Sequence, residues 1–193
     1  MGTTRLLKDI ATINFGILLK SEKISGGVQW ITTANLLPDN TLTGYEQGLC
    51  FQPTESLSVK NGDVLIRRVA PTYVNYIKEC APNCYAGNNL IIVRATERVH
   101  PMYLAYYLNN NIERIIKKAA KGTVLPTLAR QDLGEFEIIL PNNRIQHLVG
   151  NLWFLHVEKI KLEEKLRDLE IRKLHHLLDK CIKNTKEQSN DDA

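Results

Sequence analysis

The longest unbroken pattern in the chain is NRIQHLVGNLWFLHVEKIKLEEKLRDLEIRKLHHLLDKCIK, residues 143–183, which contains no proline. Asn143 is the predicted N-cap of a helix here, and Gln146 stands where the glutamine of a capping box would reach back. A helix of this length would measure on the order of 60 Å, since each residue adds about 1.5 Å. The sequence therefore predicts a rod longer than a domain of this size needs.

One face of this predicted helix is apolar. Leucines recur at alternating steps of three and four residues, with Lys159 in one polar slot and a shift of register after Leu169. Such spacing is typical of a coiled-coil seam. The seam has to pack on its own domain, on a second copy or on another protein, and we favour pairing between chains. The candidate dimerisation residues are Leu148, Leu152, Leu155, Leu162, Leu166, Leu169, Leu174 and Leu178.

The residues before the helix predict a mixed α/β domain. Pro101 suits the first position of a second helix, whose apolar residues recur at helical spacing up to Ile116 and whose pattern fades at Gly122. Four apolar segments predict strands, the last of which ends before Pro141; they are residues 28–31, 64–66, 90–93 and 136–140. We therefore divide the chain into a domain over residues 1–141 and a long helix with a frayed tail over residues 142–193.

Composition narrows the class of protein. Hydrophobic residues make up 44% and charged residues 24%, which is ordinary for a globular protein. The first residues lack the apolar core of a signal peptide, and no apolar run could span a bilayer, so we expect a cytoplasmic protein. The net charge of +4 permits contact with nucleic acid but does not establish it.

The sequence lacks the motifs of the enzymes that act on DNA. It has no glycine-rich cofactor loop, no Asn/Asp-Pro-Pro-aromatic motif of a methyltransferase, no phosphate-binding loop, and no nuclease cluster of carboxylates outside the predicted rod. Cys80 and Cys84 have a spacing that could hold a metal, but no second Cys or His pair follows, so we favour reduced structural thiols. We expect a protein that is not an enzyme by itself and has no cofactor and no metal.

An ordered set of segments resembles the target recognition domain and helix of a type I restriction-modification specificity subunit. The resemblance covers nearly the whole chain and is carried by the order of seven pieces that are each unspecific. They are residues 7–13 with Gly16, residues 28–31, residues 62–68, residues 101–108, residues 122–123, Leu128 with Asp132-Leu133, and Leu140-Pro141 with Gln146. Ala129 departs from the Ser that is usual in the family, and Asn142-Asn143 from its Pro-Leu.

The resemblance implies a half-length specificity subunit. Members of that family usually carry two recognition domains and two long helices, and this chain has one of each. Two copies would then form a homodimer, with antiparallel helices as spacers and a split target whose halves are inverted repeats. The implied partners are double-stranded DNA and the methyltransferase and restriction subunits of the system.

The candidate DNA-binding residues combine basic and amide side chains with nearby hydroxyl groups. Arg can pair with guanine and Asn with adenine in the major groove, whereas Lys contacts phosphates. For Lys117 and Lys118 the alternative is a favourable position at a helix C-terminus, and one of Arg67 and Arg68 could instead be a structural ion pair. The candidates are Lys20, Ser21, Lys23, Arg67, Arg68, Tyr73, Asn75, Lys117, Lys118, Lys121 and Thr123.

Two other hypotheses stay open at this stage. The first is an interaction or regulatory protein that acts through its coiled coil and does not read DNA. The second is an enzyme of unrecognised type, which turnover of DNA with Mg²⁺ or a methyl donor would reveal.

Overall fold

The computed structural model describes residues 2–18, 28–48, 57–119 and 127–191. The chain divides into two compact units, Met1–Phe154 and Leu155–Ala193. None of the helices in the described ranges is long and apolar enough to cross a membrane. The long-helix expectation for residues 143–183 is confirmed, since one helix covers Asn143–Asp191.

The first unit is a mixed assembly of short strands and helices, as predicted. Its helices are α1 (Leu7–Ile10), α2 (Pro101–Ala119), α3 (Arg130–Gly134) and the start of α4 (Asn143–Asp191). Its described strands are β1 (Thr3–Leu6), β2 (Ala11–Phe15), β3 (Val28–Ile31), β4 (Glu46–Gly48), β5 (Val64–Arg67), β6 (Val74–Tyr76), β7 (Cys84–Ala86), β8 (Leu90–Ala95) and β9 (Glu137–Leu140). They form sheets in the orders β2-β8-β5-β6, β4-β3-β7 and β1-β9.

The four-stranded sheet is the centre of the domain. Neighbouring strands are antiparallel, and β5 and β8 lie in the middle. Val64 and Ile66 join the core cluster that contains α2, whereas Leu65 points to a second cluster with Ile31 and Leu36. Because both faces of β5 are covered, its sequence is continuously apolar rather than alternating. The predicted strands at residues 64–66 and 90–93 are both present for this reason.

Helix α2 begins at Pro101, as the sequence indicates. It buries its apolar stripe against the sheet. Helix α4 crosses α2 at Gly150, where an added Cβ would lie 2.7 Å from the backbone nitrogen of Tyr103. A side chain at that position would force the two helices apart.

The start of α4 differs from the prediction in two ways. The N-cap is Asn142 rather than Asn143, because the Oδ1 of Asn142 accepts a hydrogen bond of 3.0 Å from the backbone N–H of Ile145. Gln146 does not complete a capping box. Its side chain is buried, accepts from the backbone N–H of His100 at 2.9 Å and donates to the carbonyl of Pro141 at 2.9 Å. Gln146 therefore ties the start of α4 to the residue before α2.

A histidine pair lies beside this junction. The rings of His100 and His147 are 4.0 Å apart between centroids. Burial, and to a lesser degree the neighbouring imidazole, lowers the pKa of His100 below its usual 6.5. The neutral form of His100 is therefore favoured in the folded chain.

The second unit consists of the remaining part of α4. The leucines of the predicted seam in this unit are more than half exposed in the single chain; they are Leu155, Leu162, Leu166, Leu169, Leu174 and Leu178. Leu148 and Leu152, which belong to the first unit, are 57% and 58% exposed. Lys159, in the polar slot of the seam, forms an ion pair within the helix with Glu163 at 3.5 Å. A row of solvated leucines is unfavourable for an isolated helix, which is consistent with a missing partner surface.

Candidate nucleic-acid interface

One end of the four-stranded sheet gathers several of the predicted site residues. In the antiparallel register, Phe15 pairs with Ile91 and Arg67 pairs with Leu90. The end of β2, the end of β5 and the start of β8 therefore lie side by side. We call this region the β5 end and define it by Phe15, Arg67, Arg68, Tyr73, Asn89 and Leu128.

Arg67 is held against the hairpin that joins β5 to β6. Its Nη1 donates to the hydroxyl of Tyr73 at 3.1 Å, and its guanidinium carbon lies 5.5 Å from the centre of the same ring. The Tyr73 hydroxyl in turn donates to the carbonyl of Leu36 at 2.7 Å. The Nε of Arg67 is buried and has no hydrogen-bond partner. This arginine and tyrosine thus connect the hairpin to the turn after β3.

Arg68 is held on the side of β2. Its guanidinium carbon lies 4.8 Å from the centre of the Phe15 ring, and its Nε donates to the carbonyl of Leu128 at 3.2 Å. Its backbone N–H also donates to the carbonyl of Asn89 at 2.9 Å. Within the described part of the chain, neither Arg67 nor Arg68 forms an ion pair with a carboxylate. The described residues therefore give no support to the alternative that one of the two arginines forms a structural ion pair.

Asn75 does not fit the predicted role in DNA contact. It is 1% exposed, and its Nδ2 donates to the carbonyl of Leu37 at 2.7 Å. Its neighbour Tyr76 donates a backbone N–H to the side chain of Asn40 in the same turn. Asn75 therefore positions the turn that contains Leu37 and Asn40, and we remove it from the candidate interface.

The remaining candidates fall into two groups. Lys117 and Lys118 lie exposed in the last turn of α2, and the Nζ of Lys117 is 3.9 Å from a carboxylate oxygen of Glu113. A pair this exposed contributes little, so the charge of Lys117 stays available. Five predicted residues lie outside the described ranges: Lys20, Ser21, Lys23, Lys121 and Thr123.

The sequence analysis missed Arg130 at the start of α3. Its Nη2 donates to the carbonyl of Ile13 and, at 2.9 Å, to the Oδ1 of Asn14, both on the edge strand β2. An open cavity of about 440 Å³ lies here, and its lining includes Thr12, Asn14 and Arg130. The sequence alone does not indicate this site, because its groups come together only where α3 packs beside β2.

Ala129, which stands where the resemblance in sequence leads us to expect Ser, changes the hydrogen bonds at the start of α3. Ala129 is the N-cap of α3 and has no side-chain acceptor for the helix. Only the reverse bond forms, in which the backbone N–H of Ala129 donates to Asp132 at 3.3 Å. A Ser at this position would supply the second bond of a capping box.

The Gly62-Asp63 segment has a structural role away from the β5 end. Gly62 has a φ of +90°, which favours glycine. The buried carboxylate of Asp63 accepts two hydrogen bonds from Arg94, at 2.7 and 2.8 Å, and one of 2.7 Å from the backbone N–H of Lys60. Arg94 also donates to the carbonyl of Ser58 at 2.7 Å. We call these four residues the Asp63 clasp.

The structure describes the side chains of two cysteines, Cys80 and Cys84, and both are free thiols. Cys80 donates its thiol to the carbonyl of Val59, and Cys84 is buried. Burial, and secondarily the nearby Cys80, raises the pKa of Cys84 to about 12. Among the side chains that the structure describes, which in α4 exclude residues 181 and 183–191, no three of His, Cys, Asp or Glu come together in a way that could hold a metal ion.

The fold is similar to that of chains in solved structures of type I R-M systems. A chain from a structure of complex assembly and conformational transition in a type I R-M system is 18% identical, with a TM-score of 0.61 over 90% of this chain and 43% of that one. The S subunit from M. genitalium is also 18% identical, with a TM-score of 0.59 over 83% and 40%. The HsdS subunit from Thermoanaerobacter tengcongensis is 20% identical, with a TM-score of 0.58 over 84% and 38%.

The sequence comparisons identify the family. No curated protein matches the chain. The family model described as the type I restriction modification DNA specificity domain matches residues 3–170. That match covers most of the chain and includes the β5 end, the Asp63 clasp and the first part of α4. The chain therefore belongs to the family of type I restriction-modification DNA specificity domains.

Proposed function

We propose that this chain is the DNA-reading specificity subunit of a type I restriction-modification system. It binds a DNA target and directs methyltransferase and restriction subunits to it in the cytoplasm, without catalysing a reaction itself. The observation that carries the proposal is the β5 end, where two arginines of a specificity-family domain are held on aromatic rings with no described acidic partner. Such groups can pair with phosphates and base edges instead.

The proposal includes a homodimer. The chain spans about 40% of the length of the solved chains it resembles in structure. The exposed leucines of α4 follow a stripe with one shift of register after Leu169, which a second α4 would cover in a coiled coil. Two copies would then hold two β5 ends apart on one duplex. Twofold symmetry predicts a bipartite target with inverted half-sites.

Selection from a random duplex pool tests the DNA-reading function. The chain would be used alone and together with a type I methyltransferase subunit, at low and then at increasing salt. We expect a split motif to be enriched and binding to weaken steeply with salt, because phosphate contacts release counterions. Absence of duplex binding in both preparations at low salt would refute the proposal. An interaction protein acting through α4 would give dimers without that binding.

Sedimentation tests the dimer. The double change Leu162→Asp and Leu169→Asp places carboxylates on the exposed stripe and should give monomers with reduced affinity for DNA. Arg167→Asp is the matched control, since Arg167 is exposed on the same helix but lies off the stripe. An unchanged mass for the double variant would show that the stripe is not the dimer seam.

A further inference from the structure

We infer that Arg68 reads a guanine base, and that Arg67, its neighbour in the chain, positions the β5–β6 hairpin instead of touching a base. The inference rests on the proposed function and assigns different roles to two residues of the same type. It follows from what each guanidinium already binds in the domain.

Arg67 keeps only one terminal nitrogen without a described partner, Nη2, so it lacks the pair of free terminal nitrogens that a bidentate contact needs. One terminal nitrogen donates to Tyr73, and Nε is buried without a partner. The Tyr73 hydroxyl that receives this bond is itself fixed by the carbonyl of Leu36. Withdrawing Arg67 towards DNA would break this chain of bonds between the hairpin and the turn after β3. Its contacts are those of a positioning residue.

Arg68 is fixed in a way that leaves its terminal nitrogens for a ligand. The guanidinium carbon lies over the Phe15 ring, 4.8 Å from its centre, and the carbonyl of Leu128 accepts from Nε. Neither Nη1 nor Nη2 has a hydrogen-bond partner within the described ranges, and no described carboxylate neutralises the charge. The side chain is only half-buried. The ring contact and the Nε bond limit rotation, so little side-chain entropy remains to be lost on binding.

This fixed geometry favours a base edge over a phosphate. Two parallel N–H donors of an arginine match the O6 and N7 acceptors of guanine in the major groove. An arginine fork can also bind a phosphate, but an exposed lysine such as Lys118 supplies the charge for that contact equally well. A planar group held on an aromatic ring is oriented, and orientation adds sequence discrimination. The two free terminal N–H donors of Arg68 therefore suit the two acceptors of a guanine edge.

The test compares two conservative variants in the complex that selects DNA. Arg68→Lys keeps the charge and removes the fork, and Arg67→Lys makes the same change one residue earlier. Binding would be measured to the selected duplex, to duplexes with each guanine replaced by another base, and to duplexes with 7-deazaguanine at each guanine in turn. Melting temperature would report the fold of both variants. The 7-deazaguanine series on the unmodified protein needs no variant to fold.

We expect 7-deazaguanine at one guanine of each half-site to weaken binding of the unmodified protein by roughly 5- to 100-fold, the range for a bidentate pair. Arg68→Lys should be less sensitive to that substitution and weaken the preference at that position alone, because a lysine has no fixed fork of donors. Arg67→Lys should keep the preference and show a lower melting temperature.

Three results would overturn the inference. They are a selected motif without guanine, a preference that Arg68→Lys leaves intact, and a uniform loss by Arg68→Lys across all sequences with a salt slope reduced by about one, which indicates a phosphate contact. In each of these the unmodified complex still selects DNA, so the proposed function stands. Failure of the unmodified complex to bind any duplex would instead refute the proposed function.

Discussion

Replacing Asp63 by Asn should destabilise the domain strongly. The carboxylate is 1% exposed and accepts three hydrogen bonds, two from Arg94 and one from the backbone of Lys60. An amide of the same shape turns one acceptor into a donor, which then faces the donors of the Asp63 clasp. The charge of Arg94 loses its partner, and the bond to Asp63 is the largest cause of the raised pKa of Arg94.

The expected loss is about 3–5 kcal/mol in the free energy of unfolding, the cost of removing one partner from a buried pair. Arg94 is partly exposed, with 27% of its side-chain surface accessible, which favours the lower part of that range. For a domain of this size, about 3 kcal/mol corresponds to a fall of roughly 6–12 °C in the melting temperature. Urea denaturation followed by circular dichroism would measure it as a lower midpoint at an unchanged slope.

Two controls make the result specific. Asp9→Asn removes the same charge from an exposed side chain and should leave the midpoint unchanged within error. The double change Asp63→Leu and Arg94→Met removes both charges and should be less destabilising than Asp63→Asn, because no unpaired charge stays in the core. An Asp63→Asn protein within about 1 kcal/mol of the unmodified chain would refute the reasoning, since a surface pair would cost no more.

Three further outcomes follow from buried contacts. Gly150→Ala should cost about 1–3 kcal/mol, because its Cβ would lie 2.7 Å from the backbone nitrogen of Tyr103; an unchanged melting temperature beside that of an Asn151→Ala control would contradict the close helix crossing. The lowered pKa of His100 means that the unfolded chain binds a proton more readily, so stability should fall as the pH drops from about 6.5 through the lower folded pKa. Unfolding in urea at several pH values would show this dependence, and His100→Gln should flatten it; an equal slope in both proteins would exclude His100 as the cause. Cys84, buried with a pKa of about 12, should resist iodoacetamide at pH 7.5 in the folded protein. Peptide mass spectrometry would detect labelling, and rapid modification before unfolding would show that the thiol is accessible.

The fold was predictable where burial determines residue type. Continuous apolar runs at residues 64–66 and 90–93 indicate strands covered on both faces, and the structure has β5 and β8 there. Strands of three residues, such as β4 and β6, were not predictable, because their sequences have no repeat long enough to show a period. Such strands form because a neighbouring strand supplies hydrogen-bond partners. That neighbour is known only once the tertiary structure is known.

The candidate site was predictable only as a set of residue types. The adjacent arginines at the end of β5 were found by charge, but the aromatic rings that distinguish them come from β2 and from the start of the β6 hairpin arm. Asn75 was a candidate because an Asn side chain can pair with adenine, but its burial depends on the carbonyl of Leu37, which a separate turn brings to it. The N-cap of α4 is Asn142 and not the predicted Asn143, because two adjacent asparagines can each fill that position and the sequence does not distinguish them.

The pairing of β1 with β9 has a consequence for how the chain is made. Thr3 lies opposite Leu140, so strands separated by roughly 130 residues complete each other. A ribosome that adds about 5–20 residues per second needs on the order of ten seconds between these two segments. During that interval the first strand has no partner, and a nascent chain that stalls before β9 would expose an open edge to chaperones and to other copies.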